Sequence, residues 1–519
     1  MKERLNQLWE WLSSLDLRQR SEAFRLSVRN ASWSTIDYLV LPLLLLLVLP
    51  FLVFRLGSDR FGIWTLVNAL TGLTGVFQFG LSDATIKYVS SYRAREDWRG
   101  VHRVVRSTLS VYGLLGLLTA VVAYATAPLL AHHAFRIEPA LQPMAISAIR
   151  VGGIGMAVRF LSSVFSAAVQ GCERYDLSAR VTIPMKALTM LAVVSLAALG
   201  LGVPAILWAT VVTSAVGAVV LALVARRLIP GMAIWPSLDR LALREVFGFG
   251  LYSWLQSIAS TVFAQADLLL VGALLGTTTV TYYSVCQRLA AQIHALPAAG
   301  SSFLFPLSSA AAEQGNLHRM RAVYSRASNI VTAVAAATGV PMLLFSRSIL
   351  THWMGADFAA HASGLLKVLA FSYALLATSI VPYNLLNGTG HVRANTLLGW
   401  LSIVVVVGAA LVLVPLFGLT GVAWAKVANL GPLIAMMSIV HRKVLRENRW
   451  SPVVWQFIPI LSLFGVAFLT VAAYGDPHLE SWIKLAGVSV GTTLLVAGSV
   501  AAFQKIFRLV DLASGYESS

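Results

Sequence analysis

Eleven ionisable side chains stand inside stretches that are otherwise apolar enough to cross a membrane. Eight are basic (Lys87, Arg150, Arg159, Lys186, Arg288, Lys367, Lys426 and Lys484) and three acidic (Asp37, Asp83 and Asp267). Such groups normally face a bundle interior or a watery cavity, because a charge at mid-helix costs about 2.5–3.5 kcal/mol on insertion scales. Depth sorts them. Asp37, Lys87, Lys186 and Lys484 lie within a turn or two of a segment end and can snorkel to the interface. Asp83 and Lys87 are also four apart, the spacing of a helix-surface ion pair. Lys367 is intermediate; Arg150, Arg159, Asp267, Arg288 and Lys426 lie deeper. Pairing through Asp267 would neutralise one cation and not four, so surplus positive charge must face water or a bound anion. Basic groups in a low-dielectric cavity can replace part of an anion's lost hydration.

Polar residues accompany the charges. Asn68, Thr71, Gly75, Gln78 and Ser82 step by three and four along one face of a helix, and Ser253, Gln256, Ser260 and Asp267 share a face of another. A hydrated cavity needs such walls, but tightly packed membrane helices use the same stripes. Arg150 and Arg159 are nine residues apart, which at about 100° per residue puts them on opposite faces of a straight helix. Unless the GGIG at 152–155 bends that helix, one of them reaches a shared cavity, and Arg150 is taken as that one. No bond-making set is evident: there is no HExxH, no Walker-A lysine motif and no GxSxG. His352, Asp357 and His361, in SRSILTHWMGADFAAH, read as a solvated loop.

The elements that carry these residues are membrane helices. Of 519 residues, 57% are hydrophobic and 12% charged, with mean hydropathy +0.76; soluble proteins carry about 25% charged residues. Hydropathy gives fourteen spans, near 33–54, 61–88, 104–131, 143–170, 182–201, 204–225, 246–274, 279–311, 327–346, 362–387, 396–416, 420–440, 452–474 and 481–503, each about the length that crosses ~30 Å of hydrocarbon. The leader, the tail and alternate loops hold 27 Lys and Arg, while the opposite loops hold Arg55, Arg60, Arg136 and Arg347. That asymmetry places both termini in the cytoplasm. It also accounts for the net charge of +17 without nucleic acid. Cys172 and Cys286 fall in separate segments and imply neither a disulfide nor a thiolate metal site.

The expected organisation is a cytoplasmic amphipathic leader (1–30), an N-lobe of spans one to six (31–228), a linker (229–245), a C-lobe of spans seven to twelve (246–441), spans thirteen and fourteen (452–503) and a cytoplasmic tail (504–519). The leader, with Leu5, Leu8, Trp9, Leu12 and Leu15 on one face, reads as an interfacial helix rather than a cleavable signal. The lobes are repeats. GVPAILWATV from Gly202 aligns with GLTGVAWAKV from Gly418, so Trp208 meets Trp424 and Lys426 falls opposite Thr210. Gly171 meets Gly388, and Ser32-Trp33 meets Ser253-Trp254, at offsets of 216 to 221. Repeats of six spans enter the membrane in the same sense and place a site between the halves.

The series FGIWTLVNALTGLTGVFQFGLSDATIKYVSSY (61–92), QADLLLVGALLGTTTVTYYSVCQRL (265–289), LLNGTGHVRAN (385–395) and PLFGLTGVAWAKVA (415–428) resembles the Wzx-type polysaccharide flippases of the multidrug/oligosaccharidyl-lipid/polysaccharide exporter superfamily. The resemblance covers residues 30–440 and implies an all-α, fourteen-helix protein of the inner membrane. It implies that two lobes alternate access and move a polyprenyl-diphosphate-linked oligosaccharide to the outer leaflet for O-antigen, capsule or exopolysaccharide assembly. Arg150, Arg288, Lys426, Arg159 and Lys367 would be the cavity cations, Asp267 and Asp83 coupling or ion-pairing acids, and Asn68, Gln78, Gln256 and Ser260 polar cavity walls. No resident cofactor is implied; H⁺ or Na⁺ would be the coupling ion. The partners would be the lipid-linked oligosaccharide, membrane lipids and polysaccharide polymerase machinery. The alternatives are a cation-coupled multidrug extruder, a peptidoglycan-precursor flippase and, from another class, a membrane glycan polymerase or ligase. An extruder of cationic drugs needs acids, which are the scarcer group here. The peptidoglycan branch's arginine-rich first span is absent, and an enzyme of the last class needs larger outer loops.

Overall fold

Every regular element among the described residues is helical, as the run of apolar segments dictates. The computed structural model describes residues 44–232, 235, 237–239, 251–301, 304–315, 317–447, 451–477, 479 and 481–513. The leader, Asp37, the start of span one, most of the linker and the end of the tail lie outside them. Eleven helices are long and apolar enough to cross a membrane. The three other expected spans are Leu44–Leu56, described in part; span two, in pieces; and span eight, which runs Thr277–Ala299 and resumes at Leu304–Glu313.

The breaks have local causes. Span two is an α-helix over Ser58–Gly72, a 3₁₀ stretch over Leu73–Gln78 and a second α-helix over Leu81–Ala94. Phe79 and Gly80 between them are left-handed, with φ of 51° and 67°. Glycine adopts that region readily; phenylalanine does so at a cost of roughly 1–3 kcal/mol and persists where its surroundings hold it. Trp254 supplies the hold, its ring 4.8 Å from that of Phe79 and its indole N–H donating to the Val76 carbonyl at 3.0 Å. Span ten stops at Ala377 and restarts at Ile380, and span twelve stops at Val427 and restarts at Leu430. In each case a proline follows, Pro382 or Pro432, whose ring opposes the carbonyl four residues back. Span six, the earlier copy of span twelve, runs unbroken over Val203–Leu228.

Packing defines the two lobes. Away from the basic loops, spans of both lobes share one core, in which Leu52, Phe61 and Ile149 belong with Val271, Val280, Leu366 and Val422. At the basic end the core divides. Leu81, Tyr112, Phe160 and Leu221 form one cluster in the N-lobe, and Leu386, Met437 and Val440 belong to another in the C-lobe. Spans thirteen and fourteen pack on the C-lobe through Ile460, Phe464, Val496 and Val500.

The shared end is closed by polar contacts between lobes. Asp59 accepts hydrogen bonds from the hydroxyls of Thr277 and Thr278 at 2.9 and 2.5 Å, at the start of span eight, and Arg136 N–H donates to the Gly272 carbonyl at 3.1 Å. Gly62 makes the approach possible: a Cβ there would sit 2.1 Å from the Thr277 carbonyl oxygen.

Candidate functional site

A polar cavity of about 560 Å³ occupies the basic half of the N-lobe between spans two, four, five and six. Span two contributes Thr71, Thr74, Gly75, Gln78, Ser82 and Asp83; span four contributes Arg159, Ser162, Ser163, Ser166 and Gln170. Thr182, Lys186 and Thr189 come from span five, and Thr213 and Ser214 from span six. Several hydroxyls donate inside the protein: Thr74 to Thr71 O, Ser163 to Arg159 O at 2.9 Å, and Thr213 to Ala209 O at 2.8 Å. A hydroxyl bonded this way keeps its oxygen lone pairs, so the wall offers acceptors. Arg159 is exposed to the cavity and makes no ion pair among the described residues; Asp83 is exposed in the same space.

The expected cations do not converge on one chamber. Span four is an unbroken helix over Gln142–Gly171, so Arg150 and Arg159 point apart, and Arg159 is the one that reaches the cavity. Arg150 stacks over Tyr124 of span three, 4.1 Å from its ring centroid. Arg288, half-buried, makes no ion pair among the described residues and its Nε is buried without a partner. Lys367 pairs with Asp476 at 2.5 Å, in the connection between spans thirteen and fourteen. Lys426 pairs with Asp267, and both side chains are buried. Phe263 and Tyr373 enclose the ammonium at 5.1 and 5.3 Å to their ring centroids.

The polar stripes part in the same way. Thr71, Gly75, Gln78 and Ser82 line the cavity even though span two is broken between Gln78 and Ser82, whereas Asn68 turns back onto the Trp64 carbonyl at 2.7 Å. Gln256 donates to the Tyr383 hydroxyl at 2.7 Å and Ser260 to the Ser257 carbonyl, both in the C-lobe and away from the cavity. Lys186, expected at the interface, lines the cavity instead. The hydroxyls of spans four to six complete the wall beyond the expected stripes, and Ser162, Ser166 and Gln170 recur every four residues, a helical-face signal in the sequence.

Residues 54–363, more than half of the chain, match the family model described as "Polysaccharide biosynthesis protein". The chain belongs to the polysaccharide biosynthesis protein family. Among relatives of this family member, a Shigella flexneri protein named "Putative O-antigen transporter" is 21% identical over 76% of this chain and 93% of its own length. A Haloferax volcanii protein named "Probable flippase AglR" is 22% identical over 45% of this chain and 47% of its own. In fold, the family member is similar to the lipid II flippase MurJ in an inward closed conformation, with TM-score 0.70, 13% identity, and 92% and 98% of the two chains covered. It is also similar to an inward-facing multidrug resistance MATE family transporter of the MOP superfamily, with TM-score 0.64, 17% identity, and 83% and 95% covered.

Proposed function

We propose that this protein is a flippase that carries a polyprenyl-diphosphate-linked oligosaccharide from the cytoplasmic to the outer leaflet of the cell's inner membrane, for surface polysaccharide assembly. The observation that carries the reading is the N-lobe cavity, in which Arg159, with no ion pair among the described residues, stands among hydroxyls and amides. A glycan presents hydroxyl donors and acceptors to such a wall, and a diphosphate presents dense negative charge to the guanidinium. No covalent bond changes. With the basic loops in the cytoplasm, the cavity would open to that side, where the cores divide, and the Asp59–Thr277 contacts would shut the other. Alternating access then requires the lobes to part at Gly62 and close at the basic end. Asp267, held by Lys426, is the acid at which H⁺ or Na⁺ exchange would bias those states. Polysaccharide polymerase machinery would take up the product.

The names of the relatives and the family support a polysaccharide-precursor cargo. The likeness to MATE transporters bears on fold alone. Deleting the gene tests the reading: lipid-linked oligosaccharide builds up on the cytoplasmic face. Loss of surface polysaccharide with the intermediate on the outer face would instead indicate a polymerase or ligase, and drug sensitivity alone an extruder.

A further inference from the structure

Span two divides two unlike spaces. Thr74, Gly75 and Gln78 face the polar cavity, while Leu70, Leu73 and Phe77, interleaved with them, wall a second hollow of about 240 Å³ between spans two, three and four. Thr71 borders both. Along span four the change runs end to end: Ile149 and Met156 line the second hollow, Arg159 and Ser162 the first. The second hollow is almost wholly apolar, since the hydroxyls of Thr119 and Thr126 on its wall donate to their own helix at Gly116 O and Val122 O. It is not slack packing. Beside it, Gly152 and Gly153 bring span four so close that added Cβ atoms would lie 2.7 Å from Val67 Cγ1 and 2.6 Å from Ala123 Cβ. On its span-three side, Leu118 and Val122 are 55% and 49% exposed on the face of a membrane span, so a chain can enter from the bilayer.

We propose that this hollow holds the first part of the hydrocarbon tail of the same amphiphile whose head group occupies the polar cavity, so that spans two, three and four select the cargo by its lipid carrier as well as by its glycan. The inference rests on the flippase reading above. The order of the two spaces argues for the cargo's own tail over a bulk acyl chain. A lipid-linked substrate in the leaflet at the basic end has its head at that end and its chain running toward the middle of the membrane. The cavity and the hollow are stacked in that order and meet at Thr71. An isoprenoid chain anchored by a diphosphate near Arg159 would have its first units beside Met156 and Phe77. The chain leaves hydrocarbon for hydrocarbon, so the contact adds affinity through close packing rather than transfer from water, and it is made intramolecularly once the head is bound.

The test uses the full-length protein in liposomes and a long-chain polyprenyl diphosphate bearing a diazirine close to its diphosphate, with an acyl-chain diazirine phosphatidylethanolamine as the comparison. Label from the prenyl probe should fall on Leu118, Val122 or Phe77 and drop at least tenfold when unlabelled polyprenyl diphosphate is added. Thr119→Phe, which fills the hollow, should lower that labelling and export at least tenfold; Leu191→Phe, on the lipid face of span five, should change neither. Binding of the probe with label elsewhere would overturn the tail site and leave the flippase reading standing. Equal labelling by the phospholipid, uncompeted by polyprenyl diphosphate, would assign the hollow to bulk lipid and overturn it. Absence of probe binding altogether would overturn both.

Discussion

Lys426 of span twelve and Asp267 of span seven form an ion pair with side chains 6% and 3% exposed, inside the C-lobe rather than on the wall of the cavity. Thr210 holds the place of Lys426 in the N-lobe repeat, where it donates to Ile206 O of its own helix. One copy of the unit thus carries a buried charge pair where the other carries a hydroxyl. Removing one partner of such a pair leaves an uncompensated charge and costs about 3–5 kcal/mol, whereas replacing both with apolar groups is often nearly neutral. Lys426→Ala or Asp267→Ala alone should therefore lower thermal stability in detergent sharply, and Lys426→Met with Asp267→Leu should restore it. If the pair also serves coupling, the restored double variant inserts normally and exports nothing. Normal export by the double variant would make the pair structural only.

Arg159 and Arg150 make a matched comparison on one helix. Arg159→Ala should reduce export at least tenfold with insertion unchanged, and Arg159→Lys should keep a part of it, since a point charge serves an anion less well than a guanidinium fork. Arg150→Ala should cost the Tyr124 stacking, about 0.5–2 kcal/mol, and leave export largely intact. Export assayed by surface polysaccharide, beside thermal stability in detergent, separates the two.

The closed end turns on Gly62. Gly62→Val would drive a side chain into the Thr277 carbonyl and should hold the lobes apart there. A cysteine placed at Thr281, whose hydroxyl donates to Ser58 O and which is fully buried, should then react with an outside thiol reagent several times faster than in the Gly62 background.

Lys367 is paired to Asp476 at the end away from the basic loops. Lys367→Met should preserve export and reduce stability by more than the ~1 kcal/mol of an exposed pair, since the two side chains are only 14% and 16% exposed and Asp476 would lose its partner. A tenfold loss of export with normal stability would return Lys367 to the transport path.

Hydropathy was enough to read the helical architecture and most span positions, because membrane spans are long and uniform. The breaks in spans ten and twelve were signalled by Pro382 and Pro432. The break in span two was not, since nothing local announces a left-handed Phe79; it depends on Trp254 from the other lobe. For the same reason the sequence could count charges and not pair them. Lys426 and Asp267 lie 159 positions apart, and Lys367 finds its partner, Asp476, in a connection outside the repeat. Arg159 needed one further fact, that the GGIG segment leaves the helix of span four unbroken. Gly152 and Gly153 sit against Val67 and Ala123, where they serve close packing and do not break the helix.

The most direct measurement is transport by the purified protein in liposomes, with a fluorescent lipid-linked oligosaccharide loaded in one leaflet and its arrival in the other read by a membrane-impermeant quencher. A flippase that holds its cargo at Arg159 gives movement that depends on the protein, fails with Arg159→Ala and survives Arg150→Ala. Movement equally fast without protein, or unaffected by loss of Arg159, would contradict that reading.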